Sequence, residues 1–194
     1  MTESVKQQKL IIISGPSGVG KSTICKQIVD KLNAFLSISS TTRAQSETEQ
    51  EGREYNFLPR AEFEKMIENG AFLEYAEVFG NYYGTPKGPV DEALDAGRIV
   101  ILEIDVQGAL RVKKVRPEVQ TIFILPPRKQ DLKARIDGRG RGEDEKTKQK
   151  RLETASREIA TAWQHYDYMV INDDLSQAVQ EVVDIIEENL KESI

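Results

Sequence analysis

A single cysteine, Cys25, excludes an internal disulfide and suits a reducing compartment. It falls one turn into a helix-like stretch, where it reads as a small apolar residue rather than a reactive thiol. The sole histidine, His165, stands beside Trp163 and Tyr166 and reads as structural rather than catalytic. No apolar run approaches the roughly 20 residues that span a bilayer, and the opening residues MTESVKQQKL carry no apolar signal region. The expectation is a cytoplasmic protein with no membrane partner. Excess positive charge is missing too. A net charge of −5 would repel a phosphate backbone, which argues against non-specific nucleic-acid binding. Any cation used on phosphate must therefore be concentrated locally. There is no internal repeat and no low-complexity segment. What remains is an ordinary globular composition, 39% hydrophobic and 30% charged over 194 residues, enough for one sizeable core with small inserted subdomains.

The most informative stretch is KLIIISGPSGVGKST, residues 9–23. Leu10 to Ile13 form a short β-branched run that predicts a buried strand. Gly15 to Ser22 then fit G-x-x-x-x-G-K-S/T without a mismatch, and an amphipathic helix is expected from Lys21 to about Leu32. Strand, glycine loop and helix in that order are the context that gives this motif its meaning. Gly15, Gly18 and Gly20 allow successive backbone N–H groups to point inward as an anion nest, and the helix N-terminus adds partial positive charge. Lys21 would neutralise β- and γ-phosphates, and the Ser22 hydroxyl would face Mg²⁺. The chain is expected to bind a nucleoside triphosphate through Gly15, Pro16, Ser17, Gly18, Val19, Gly20, Lys21, Ser22 and Thr23.

Further along, FLSIS at 35–39 predicts a second strand ending in the polar cluster Ser39-Ser40-Thr41-Thr42-Arg43. That cluster is either a ligand-facing strand end or a capped turn with one exposed arginine. Residues 44–54 are polar and acidic and read as a loop. Residues 60–69 predict a helix with Phe63, Met66 and Ile67 on one face and Gly70 closing it. FLEYAEVF at 72–79 alternates, so Phe72, Glu74, Ala76 and Val78 are expected on one side. A carboxylate among apolar neighbours is either paired or meant for a ligand. RIVILEIDV at 98–106 predicts a buried strand ending in Glu103 and Asp105. These two acids can organise Mg²⁺ or water, accept hydrogen bonds from a second substrate, or cap a helix. Helix 106–115, strand 121–125, strand 167–171 and a last helix bearing Val179, Val182 and Ile186 complete the frame. Between them, residues 128–163 carry arginines at 128, 135, 139, 141, 151 and 157, with Gly138, Gly140 and Gly142 in the middle. A glycine-hinged, arginine-rich flap suits a phosphoryl-transfer lid.

Seven blocks in order carry a resemblance over about residues 8–190: GPSGVGKST, SSTTR, the run from Gly52 to Phe57, FLEYAEVFGNYYGT, LEIDVQG, GRG and VINDDL. They resemble the guanylate kinase family of nucleoside monophosphate kinases. The resemblance implies an α/β P-loop kinase: a parallel core sheet flanked by helices, a small inserted mixed α+β domain and a helical lid. It places the core at 1–36, 90–127 and 158–194, the GMP-binding region at 37–89 and the lid at 128–157. It also implies phosphoryl transfer from ATP to GMP or dGMP, with Mg²⁺, small-molecule substrates, no nucleic acid, and a monomer or homodimer. By motif, Ser39, Glu74, Thr85 and Asp105 would read guanine. Arg43, Tyr55 and Tyr83 would hold the GMP phosphate. Lys21, Arg135 and Arg151 would act on the transferring phosphoryl group, while Arg139 and Asn172 would lie at the adenine of ATP.

Two departures from the family pattern stand out. Where the family has a second arginine three residues after the one matching Arg43, this chain has Ser46, amid Glu47, Glu49 and Glu51. A lost charged contact is worth ~1.5–3 kcal/mol, so weak GMP binding is expected unless Arg53 or Arg60 compensates. The lid loop GRGRGEDE is also one residue longer than the family spacing, with Arg141 extra. Two other readings stay open at this point: a catalytically weak guanylate-kinase-like binding module, and a P-loop kinase with a different phosphorylated acceptor.

Overall fold

β1 (Leu10–Ser14) is a central strand, and each flank is covered by a parallel neighbour. The computed structural model describes residues 9–78, 80–128 and 145–192. Its larger sheet has five strands in the order β2 (Phe35–Ser37), β7 (Val100–Glu103), β1, β8 (Gln120–Leu125) and β9 (Tyr168–Ile171), every pair parallel. The strand order reverses at β1, which places a crevice at its carboxyl end, where ligands settle in open α/β sheets.

Both faces of this sheet are covered, which explains why β1 reads as an unbroken apolar run. Ile11 and Ile13 point to one side, against Ile24, Cys25 and Ile28 of α1 (Lys21–Leu32) and Val179, Val182 and Ile186 of α6 (Leu175–Glu192). Leu10 and Ile12 point to the other, against Val90 and Ala93 of α3 (Lys87–Asp95) and Ala109 and Val112 of α4 (Val106–Val115). Each fully buried isoleucine contributes ~1.5–3 kcal/mol. α5 (Glu145–His165) sets Ala162 against Phe123 of β8.

A second sheet of four strands stands beyond the carboxyl edge, in the order β4 (Asn56–Phe57), β3 (Ser40–Thr41), β6 (Asn81–Pro86) and β5 (Phe72–Val78). α2 (Arg60–Glu68) covers one face of it. Phe63 stacks on Phe72 and Tyr82, with ring centroids 4.3 and 5.3 Å apart.

Three local expectations change. The strand expected over 35–39 stops at Ser37, because the chain crosses over at Ile38 and Ser39 into the other sheet, where β3 begins at Ser40. The Ser39 carbonyl there accepts from the Asn56 amide, 2.9 Å away. The strand expected over 98–106 stops at Glu103. The Ile104 carbonyl accepts from Ser14 Oγ at 2.7 Å, and Asp105 turns to cap α4. Phe72 does not share a side with Glu74, Ala76 and Val78. The register of β5 shifts between Phe72 and Glu74, and the Phe72 ring turns to Phe63 and Tyr75 on the opposite face. A bulge offsets alternation by one residue.

Cys25 is fully buried, and burial first, then the Glu103 charge, pushes its thiol well above the ordinary cysteine value, with Lys21 opposing. A disulfide reagent should therefore label Cys25 only at the rate of unfolding and react at once in denaturant. Rapid labelling of the native protein would show that this thiol is not in the core.

Candidate active site

The loop between β1 and α1 is pressed against its neighbours at both ends. A Cβ on Gly15 would lie 2.5 Å from the Ile124 carbonyl oxygen. A Cβ on Gly20 would lie 2.7 Å from Asn172 Nδ2, and Gly20 also has φ 101°, which side chains disfavour. Asn172 Nδ2 donates to the Val19 carbonyl at 2.7 Å, so a residue after β9 braces the loop from behind. Lys21 Nζ folds back to donate to the carbonyls of Gly15 at 2.6 Å and Pro16 at 3.2 Å. Ser22 Oγ donates to Glu103 Oε1 at 2.7 Å, tying the loop to the end of β7.

From this loop a cavity of about 530 Å³ runs across to the second sheet. Gly15, Ser17, Gly18, Gly20, Lys21, Ser22 and Thr23 line one end, and Ser39, Tyr55, Glu74 and Tyr83 line the other, with Glu103 and Asp105 between. Pro16 and Val19 are buried behind the lining. Glu74 is 9% exposed, and Thr85, buried beside it, donates its hydroxyl to Glu74 Oε1 at 2.8 Å. Burial raises the Glu74 carboxyl above the ordinary value. The Thr85 hydrogen bond opposes that, and the Asp105 charge adds to it. Asp105 Oδ1 accepts from the Gly108 amide at 2.7 Å, so it caps α4 while also facing the cavity. A Cβ on Gly108 would lie 3.0 Å from Glu74 Oε2, so glycine leaves that carboxylate its space.

At the rim, the Arg43 guanidinium is bound on two nitrogens by Glu49, at 3.0 and 2.7 Å. Its carbon lies 5.6 Å from the centroid of the Tyr55 ring, which meets Tyr83 edge-on. Neither arginine expected to compensate for Ser46 lines the cavity. Arg53 pairs with Glu54, while Arg60 pairs with Glu64 and lies over Tyr82, on the sheet face away from Tyr83. His165 is exposed at the end of α5 and does not line this cavity.

A family model described as Guanylate kinase matches residues 7–189. The chain belongs to the guanylate kinase family. It is 51% identical to the guanylate kinase of Clostridium acetobutylicum over 181 residues, 93% of this chain and 86% of that protein. Identity to the guanylate kinase of Carboxydothermus hydrogenoformans is also 51%, over 175 residues, 89% of this chain and 84% of the other. The crystal structure of guanylate kinase from Anaplasma phagocytophilum aligns with a TM-score of 0.76 at 33% identity, covering 93% of this chain and 85% of that one.

With the guanylate kinase frame in place, the candidate residues fall into groups. The loop residues, Ser39, Tyr55, Glu74, Tyr83, Glu103 and Asp105 share one cavity, and Thr85 reaches it through Glu74. Arg43 sits at its edge. Asn172, expected at the adenine, donates its side-chain amide to the loop backbone. Arg135 and Arg139 lie outside the described residues. Arg151 lies on α5, its side chain outside them as well.

One ionisable cavity residue was missed by the sequence reading. Glu158 of α5 faces the loop, and burial pushes its carboxyl up to about 7, with Lys21 pulling it down and Asp105 reinforcing the rise. The available signal was its position seven residues after Arg151, two turns along the same helical face. A raised carboxyl favours its neutral form, so its contribution to stability is full below the unfolded value near 4.5 and is lost as pH rises through about 7. Glu158→Gln keeps the neutral shape. Its melting temperature relative to the parent protein should therefore climb between about pH 5 and about pH 8. A pH-independent difference would contradict the perturbation.

Proposed function

We propose that the chain transfers the γ-phosphoryl group of ATP to GMP or dGMP, giving ADP and GDP or dGDP. The observation that carries this reading is the single cavity that opens on a phosphate-binding loop at one end and on the buried Glu74–Thr85 pair at the other. The loop amides and Lys21 hold the ATP phosphates, Lys21 exchanging its bonds to Gly15 and Pro16 for phosphate oxygens. Glu74 accepts from guanine N1–H and N2–H, with Ser39, Thr85 and Asp105 completing the base site. Adenine would present an acceptor to the same carboxylate and be rejected. Arg43, Tyr55 and Tyr83 hold the acceptor phosphate. An oxygen of that phosphate attacks the γ-phosphorus as the bond to the β–γ bridging oxygen breaks, and ADP leaves.

Residues 37–89 form the acceptor-binding region and 128–157 the lid, in which Arg135 and Arg151 neutralise the transferring group and Arg139 covers the adenine. Asn172 lies near the same base and also braces the loop. The residues present also fit Mg²⁺. Ser22 Oγ, held by Glu103, is a hard oxygen donor beside the loop. Among the described residues there is no cluster of three or more His, Cys, Asp or Glu that could hold a metal by itself, and substrate phosphates would supply the other ligands. When bound, the ion neutralises β- and γ-phosphate charge. No described helix is long and apolar enough to cross a membrane, and the proposed setting is cytoplasmic nucleotide metabolism.

Two measurements test this. With ATP as donor, GMP should be the best acceptor among GMP, dGMP, AMP, CMP, UMP and TMP; a better pyrimidine or adenine acceptor would overturn the base assignment. Glu74→Gln should lower kcat/KM for GMP about ten- to hundredfold, the loss of one charge-assisted pair, and leave the KM for ATP in place.

A further inference from the structure

The strongest feature unused by the mechanism is the anion already bound to Arg43. Glu49 Oε1 accepts from Arg43 Nη2 at 2.7 Å, and Oε2 accepts from Arg43 Nη1 at 3.0 Å, the Ser46 amide at 3.0 Å and the Ser46 hydroxyl at 2.8 Å. A guanidinium fork, a backbone N–H and a hydroxyl converging on one anion form the donor set that proteins use to hold phosphate. These donors hold the Glu49 carboxyl far below its ordinary range, at about 2, chiefly through Arg43. The same donors favour the charged carboxylate. The Glu49 side chain is 19% exposed, and Arg43 and Ser46 together hold it by four hydrogen bonds. Over residues 43–54 the chain sets two arginines against four glutamates, and Arg53 is tied to Glu54.

We propose that Glu49 is an internal competitor of the acceptor nucleotide: its carboxylate occupies the face of Arg43 that the acceptor phosphate needs, and so sets the KM for that nucleotide. This rests on the assignment of Arg43 to the acceptor phosphate. An incoming monophosphate either displaces Glu49 from the guanidinium or binds beside an uncompensated negative charge, and both weaken it. Ser46 reinforces the effect because both of its donors hold Glu49 in place. The competition is confined to the acceptor end, where Arg43 lies over the cavity-lining Tyr55 ring.

The test is steady-state kinetics of the full chain with ATP and GMP at constant ionic strength, comparing the parent protein, Glu49→Gln and Ser46→Arg. Glu49→Gln keeps the size of the side chain and removes the charge. The KM for GMP should fall roughly three- to tenfold, the range of one displaced charge-assisted contact, with the KM for ATP unchanged. Ser46→Arg gives the carboxylate a second cation and should also lower the KM for GMP, by less when combined with Glu49→Gln. A higher or unchanged KM for GMP in folded Glu49→Gln would overturn the proposal, because the carboxylate would then be orienting Arg43 or standing clear of the substrate. If Glu49→Gln fails to fold by circular dichroism, Glu49→Ala takes its place, and an unchanged KM for GMP there overturns the proposal. Absence of GMP turnover in the parent protein would instead sink the transfer reaction itself.

Discussion

The backbone at the end of β1 runs closer to its neighbours than any side chain would permit, and the site depends on that proximity. Gly15 lies against the Ile124 carbonyl and Gly20 against the Asn172 amide, so the loop is clamped between β8 and the chain after β9. An anion nest works only if its N–H groups already point inward before the ligand arrives, because ordering them on binding would consume much of the binding free energy. The clamp supplies that order. The Ser22–Glu103 bond extends it to β7, so the loop is tied to three strands of the sheet.

The opposite wall of the cavity is built by a different device. In β5 the shift between Phe72 and Glu74 sends Phe72 toward α2 and leaves Glu74, Ala76 and Val78 facing the cavity. Without the bulge, strict alternation would put an aromatic ring on the cavity side beside the carboxylate. The bare backbone of Gly108 then gives Glu74 room, and Thr85 satisfies one of its oxygens. Burial raises this carboxyl above its ordinary value although Thr85 donates to it, and its remaining acceptor capacity is what a base edge with two donors can satisfy.

Carboxyl groups dominate the charge in this cleft. Glu74, Glu103, Asp105 and Glu158 line it, with Lys21 as the facing cation among the described residues. Phosphorylated substrates would be favoured there by added positive charge, and the sequence between β8 and α5 is rich in arginine. At the rim the same excess of acid reaches Arg43 through Glu49.

Local chemistry was enough to locate the phosphate loop, because glycines, lysine and serine at fixed spacing act within a few residues of one another. The same is true of α1 and α4, whose ends fell where the periodicity and the acidic cap at Asp105 placed them. The family, too, was legible from short blocks in order. Tertiary structure alone decided the pairings between distant residues: Asn172 with Val19, Glu49 holding Arg43 while Arg60 turns away on the far face, and Glu158 across from Lys21. It also decided the bulge in β5 and the change of sheet at Ile38 and Ser39. Each of these depends on where a second strand or helix comes to rest, and a periodicity read along one segment holds no information about that.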